Sequence, residues 1–262
     1  MDPSSYRNYH THEIDSEEVY NVYFSAKADK MLLEEVLLFP MKSLFKFCKL
    51  ALIKGGTLIN LSTGATVFHL LPICTLFEDI IILELNECCL EDTKKWLHKE
   101  QGCFDWSHAS KILAVWEGCS DNWEAKEDDL RSRVKLVIKS DFKNENPTDP
   151  VVLQKADCVI SLCVMGHVAK DRDAYCQNLK KLSKMLKLGG YLLLIGVLNA
   201  SHFCVGEHKY QILKFNEEDI KKSLTDHGFS IEYKEVMESK IPNDVLGYEH
   251  IFFICAAKKQ EL

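Results

Sequence analysis

The sequence predicts an α/β fold: one doubly wound, mostly parallel sheet of seven strands that finishes antiparallel at its C-terminal end. Three observations predict it. Strand-like apolar runs alternate with helix-like runs along the chain, the pattern of a parallel sheet crossed by helices. Residues 191–198 are apolar without interruption, as a strand buried on both faces must be. The last two strand-like runs, 230–236 and 250–256, are joined by too few residues for a crossover helix and its loops, so they should pair antiparallel.

The elements follow in order. Residues 1–28 are polar but carry Tyr20, Tyr23 and Phe24, a segment able to dock over a site. Residues 28–52 read as helix from the recurring apolar face of Leu32, Leu33, Val36, Leu37, Leu44, Phe45 and Cys48. Pro40 should split that helix, because proline lacks an N–H and suits a first turn better than an interior. Residues 57–61 form the first strand, 67–74 a helix, 79–84 the second strand and 90–99 a helix. Residues 100–132 are an insertion, with a charged helical run over 123–133. The third strand is 134–138, the fourth 156–163 and the fifth 191–198, with a helix over 174–186. A helix over 217–227 precedes the last two strands.

At 262 residues and 47% hydrophobic composition, the chain can bury one large core. A single domain is expected over 1–262, with an N-terminal lid and helices over 1–52. The net charge of −7 comes with interspersed signs, so no basic block points to nucleic acid or an anionic membrane. The 11 cysteines are odd in number and include no C-x-x-C pair. Reduced core thiols of a cytoplasmic protein are therefore expected, with no metal site. The polar start predicts no signal peptide, and no apolar run approaches the roughly 18 residues of a membrane span.

The chemistry concentrates where the first strand runs into Asn60-Leu61-Ser62-Thr63-Gly64-Ala65-Thr66. Such a turn leaves backbone N–H groups open to a ligand. Glu84 ends the next strand, where α/β folds grip the two hydroxyls of a ribose. Together they point to a nucleoside-bearing cofactor. Thr66 either donates a hydroxyl to it or caps the turn. Asp141, after the third strand, either accepts from an adenine amino group or is a turn aspartate. His167, His202 and His208 fall in expected loops, each a candidate base or a solvated side chain. No G-x-S-x-G elbow or Walker A loop is present.

Several local runs sharpen this. They are Lys95-Trp96-Leu97 with Lys99-Glu100, Phe104-Asp105-Trp106-Ser107, Ala156-Asp157-Cys158-Val159, Met185-Leu186-Lys187-Leu188-Gly189-Gly190 and Val205-Gly206-Glu207-His208-Lys209. In this order they resemble the class I S-adenosylmethionine-dependent methyltransferases. The likeness is to the branch of nicotinamide, indolethylamine and phenylethanolamine N-methyltransferases, with its Rossmann-like fold.

The resemblance implies S-adenosylmethionine as cofactor and a cofactor site at Asn60, Ser62, Thr63, Gly64, Thr66 and Phe68. It adds Glu84 and Cys89 at the ribose, Asp141 and Phe142 at the adenine, Leu162, and the lid aromatics Tyr23 and Phe24, with Val19 in place of a tyrosine. Acceptor positions fall on Gly196, His202, Phe203 and Ile212. Asn60 replaces an expected acid and Ser62 a glycine; if Ser62 must turn left-handed, that costs roughly 1–2 kcal/mol. Gly196 replaces the carboxylate, and Ile212 the serine, that hold the carboxamide in nicotinamide-methylating relatives. The expected function is therefore methylation of a small amine, arylalkylamine-like rather than nicotinamide, by a monomer with no covalent catalytic residue. A catalytically silent paralogue that binds without turnover is the alternative.

Overall fold

A computed structural model describes residues 6–9, 11–12, 14–50, 52–53, 55–119, 122–242 and 246–260. Of the expected lid segment, residues 1–5, 10 and 13 lie outside the described residues. The strands are β1 (Gly55–Ser62), β2 (Phe77–Glu84), β3 (Val134–Lys139), β4 (Ala156–Leu162) and β5 (Leu186–Leu198). They are followed by β6 (His202–Val205), β7 (His208–Gln211), β8 (Phe229–Glu238) and β9 (His250–Lys258).

The main sheet runs β3-β2-β1-β4-β5-β9-β8, and β6 and β7 form a separate hairpin. The first five strands pair in parallel, while β9 lies antiparallel to both β5 and β8. Leu58, Ile59, Val159, Ile160 and Leu192 on the three central strands are fully buried, which accounts for their unbroken apolar sequence. The edge strand β8 alternates charged residues with partly covered ones, which blunts its unpaired side. Strand order reverses between β1 and β4, so a crevice opens at their carboxyl ends, the usual ligand position in such sheets. Ser62, Glu84 and Leu162 end the three strands that meet there.

Four local expectations are corrected. Pro40 does not split its helix: winding is continuous from Lys30 to Lys49, with Leu33–Leu38 in a π-helical stretch. Proline then falls in the first turn of the last segment, Phe39–Lys49, where its missing N–H costs least. Residues 67–74 form successive turns rather than a helix, with Leu70 N donating to Val67 O and Leu71 N to Phe68 O. Pro72 has no N–H to continue a ladder there. The insertion holds a second helix, Ser107–Glu117, stopped by left-handed Gly118. Finally, His202 and His208 lie on β6 and β7, and His167 on the short helix Val164–Val168, rather than in loops.

The insertion's Phe104-Asp105-Trp106 run holds the N-terminal segment in place. Tyr20 stacks on Phe104 with ring centroids 4.4 Å apart and donates its hydroxyl to Asp105 O at 2.7 Å. Trp106 packs against Phe24 and Phe68. All eleven cysteines are free thiols. Among the described residues, no helix is long and apolar enough to cross a membrane, and no cluster of three or more metal-binding side chains forms.

Candidate cofactor and acceptor site

The turn after β1 is held from both sides. Thr63 N donates to Leu162 O of β4 at 3.1 Å, and Thr66 N to Gly64 O at 2.8 Å. Gly64 has φ +78°, and a Cβ there would lie 3.1 Å from Val19 Cγ1, so both conformation and space demand glycine. Val19, where the resemblance expects a tyrosine, thus closes over the turn. Ser62 needs no left-handed conformation: it is the buried last residue of β1 and takes an extended strand geometry. The expected strain does not arise.

Asn60, in place of an acid, is fully buried and accepts from His69 Nε2 at 2.6 Å. Burial pulls the His69 pKa down to about 3, so the pair is neutral. The turn has therefore exchanged a charge for a neutral hydrogen-bonded pair. His69 was missed in the sequence, although a histidine inside the apolar run Phe68-His69-Leu70 signals a buried polar partner.

Glu84 is fully buried at the end of β2. Its Oε1 accepts from Thr93 Oγ1 at 2.8 Å, while Oε2 has no partner. Burial pushes its pKa up to about 8. Thr66 Oγ1 on the turn and Ser140 Oγ after β3 are likewise buried without a partner. Ser140, Asn86, Cys88 and Asp141 line an open cleft of about 890 Å³. Unsatisfied acceptors and hydroxyls are rare in folded interiors and signal a missing partner. Their chemistry fits the hydroxyls of a ribose.

Asp141 is exposed, and its Oδ1 accepts from Lys143 N at 2.8 Å, so it is a turn aspartate on the rim of this cleft. Phe142 is buried behind it, its carbonyl accepting from Lys181 Nζ at 2.6 Å. Cys89 is buried on the helix Glu87–Leu97, its thiol kept protonated by the Cys88 hydrogen bond and by burial.

Tyr9, absent from the sequence reading, enters the same place. It is fully buried, and its hydroxyl accepts from Gly64 N at 2.8 Å, the N–H that the turn would otherwise offer a ligand. Asn86 Nδ2 donates to Tyr9 O at 3.2 Å. Backbone bonds from Arg7 N to Lys209 O and from Gln211 N to Arg7 O, both 2.8 Å, tie the strap to β7. No periodicity marks a tyrosine in a polar segment, so only the fold reveals it.

Beyond the turn lies an apolar cavity. Tyr23, Phe24, Leu162, Phe203 and Ile212 line it, together with Thr63 and His167. His167 is buried, shares a 2.9 Å hydrogen bond between its Nδ1 and Thr63 Oγ1, and stacks on Phe203 at 4.7 Å. Burial pulls its pKa down to about 3. The Tyr23 hydroxyl donates to Cys204 O. Gly196 lines a second, smaller cavity that also reaches His167 and Ile212. His202 lines neither cavity; it pairs with Ser201 Oγ at 2.9 Å under the Tyr6 ring. His208 is exposed on the hairpin. Of the three candidate histidines, the structure brings His167 alone to the cavities.

The model of the NNMT/PNMT/TEMT family matches residues 4–259. Indolethylamine N-methyltransferase of Oryctolagus cuniculus is 33% identical, covering 91% of this chain and 91% of that protein. Nicotinamide N-methyltransferase of Homo sapiens is 32% identical, covering 86% and 85%. Phenylethanolamine N-methyltransferase of Homo sapiens is 31% identical over 79% and 74%. Among solved structures, an S-adenosylmethionine-dependent methyltransferase from Clostridium acetobutylicum superposes with a TM-score of 0.55 at 13% identity, covering 93% and 98%. That likeness is one of fold.

Proposed function

The chain belongs to the NNMT/PNMT/TEMT family, and from that premise we propose that it is an S-adenosylmethionine-dependent N-methyltransferase acting on a small amine or N-heterocycle, an arylalkylamine in preference to nicotinamide. One observation carries the reading: Thr63 belongs both to the glycine turn and to the wall of the apolar cavity, through its bond to His167. The glycine turn and the apolar cavity therefore share a boundary residue.

When bound, the cofactor supplies a methyl on a sulfonium, transferred to nitrogen by in-line displacement. The chain's task is to hold and orient, which can supply most of the rate. Glu84 accepts the ribose hydroxyls; Asn60, Ser62, Thr63, Gly64 and Thr66 form the cradle of the amino-acid end. Cys89, Asp141 and Phe142 border the adenine side. Tyr23, held by Cys204, and Phe24 and Phe68, packed on Trp106, exclude water. Nicotinamide fits poorly because Gly196 and Ile212 offer its carboxamide no partner, and an unpaired buried amide costs about 1–3 kcal/mol. The test is mass-spectrometric detection of methylated product over a panel of aryl amines. Product from an arylalkylamine supports the proposal; none from any amine, with cofactor binding verified, would refute it.

A silent binding protein is the second reading, favoured by the Tyr9 hydroxyl seated on Gly64 N. If the strap competes with the cofactor, Tyr9→Phe should tighten cofactor binding about threefold to tenfold in calorimetry, the worth of one hydrogen bond. A loss of affinity would instead make Tyr9 a cofactor ligand.

A further inference from the structure

The apolar cavity has a property that composition alone does not reveal: among its described wall residues there is no aspartate, glutamate, lysine or arginine. Its polar groups are nearly all spent. The Tyr23 hydroxyl is committed to Cys204 O, and the Tyr248 hydroxyl donates to Glu35 Oε2 at 2.7 Å. Glu35 itself lies behind Tyr248 and also accepts from Ser239 Oγ and Lys240 N, so both its oxygens are already bonded away from the cavity. Thr63 Oγ1 is bonded to His167 Nδ1. Cys163 is a neutral thiol, its pKa pushed up to about 12 by burial. What remains is His167 Nε2, which makes no hydrogen bond to any described residue. The ring is fixed by Thr63 on one edge and by the Phe203 face.

A cation in such a cavity would surrender its hydration and meet no acidic side chain on the wall itself, a severe cost. A neutral molecule with one polar hydrogen loses little and gains one partner. Resting on the methyltransferase reading, we propose that this cavity takes its acceptor uncharged and that His167 positions it through a single hydrogen bond at Nε2. An alkylamine therefore reaches the cavity as the free base, and a weakly basic aryl amine needs no prior proton loss. Methyl transfer forms an N–C bond as the S–C bond breaks with its electron pair left on sulfur, so the nitrogen becomes cationic. The cavity that admits the neutral acceptor thus has no acidic wall residue to retain the product and favours its departure.

The test uses the full chain saturated with S-adenosylhomocysteine and two probes of one shape: phenethyl alcohol, uncharged, and phenethylamine, a cation near neutral pH. Calorimetry should show the alcohol binding at least about tenfold more tightly. His167→Phe, which keeps the ring and loses the nitrogen, should weaken the alcohol about threefold to tenfold, and His167→Asn should restore most of that loss. Equal or tighter binding of the amine, an unchanged alcohol affinity in His167→Phe, or no binding of either probe to the loaded protein would overturn the proposal. Failure of S-adenosylhomocysteine to bind at all would instead strike the methyltransferase reading itself.

Discussion

Glu84→Gln should make the free protein more stable above neutral pH while costing it the cofactor. In the folded chain burial holds the Glu84 pKa at about 8 against an ordinary 4.5. The folded state therefore keeps a proton that the unfolded chain releases. The sign follows from linkage: stability is full below the unfolded value and falls as pH rises from about 4.5 to about 8, then levels. The loss over that window is on the order of 5 kcal/mol. Glutamine cannot ionise and keeps an oxygen for Thr93, so its melting temperature should stay level where the parent's falls. Cofactor affinity should drop at least about 100-fold, because two hydrogen bonds to a charged acceptor are together worth roughly 3–6 kcal/mol. Parallel melting curves for the two proteins from acid to mildly alkaline pH would contradict the burial argument, and an unchanged cofactor affinity would remove Glu84 from the site.

Gly196→Asp should unfold the chain at markedly lower temperature instead of creating a nicotinamide site. Gly196 on β5 faces Phe252 on β9 across an antiparallel pair, and a Cβ there would lie 2.9 Å from Phe252 Cζ and 3.0 Å from Cε1. That ring is buried among the core strands. Overpacking costs about 1–3 kcal/mol, and a buried carboxylate without a partner adds several more. A fall in melting temperature of roughly 10 °C is expected, read by calorimetry, with partial recovery in Gly196→Asp/Phe252→Ala. A variant as stable as the parent that methylates nicotinamide would show that Phe252 yields freely. In this chain, then, the missing carboxylate is locked out by a neighbouring strand.

Both residues were legible in the sequence, but for different reasons and to different depths. Glu84 announces itself by sitting at the tip of an apolar strand one β-α-β step after the turn, and the strand alternation that places it is dictated by burial. The helix Trp123–Arg133 and the antiparallel finish were readable for the same reason. Gly196 could be named only by resemblance, and its steric reason belongs to Phe252, far along the chain. Local rules failed where tertiary structure overrode them. Pro40 was absorbed by a π-helical stretch, and Pro72 turned an expected helix into successive turns. Ser62 kept a strand geometry that its place in a worn turn did not suggest.

The site's second layer was less visible still. His69 beneath Asn60, Thr93 beside Glu84 and Tyr9 on Gly64 are partners supplied by packing, and a partner leaves no mark in its own segment. The three histidines looked equivalent in sequence; the fold separates them by carrying His208 to a hairpin surface and His202 beneath Tyr6. His167 is left between turn and cavity. The Phe104-Asp105-Trp106 run marked kinship in the sequence, and the structure adds its packing against Tyr20 and Phe24 of the N-terminal segment.

The most direct test of whether the worn turn still works is a calorimetric titration of the purified chain with S-adenosylmethionine in two buffers of different ionisation heat. Micromolar binding is expected, with an apparent enthalpy that changes with the buffer, because ribose hydroxyls would displace the proton that burial keeps on Glu84. Absence of binding at millimolar cofactor, in the parent and in Tyr9→Phe alike, would contradict it.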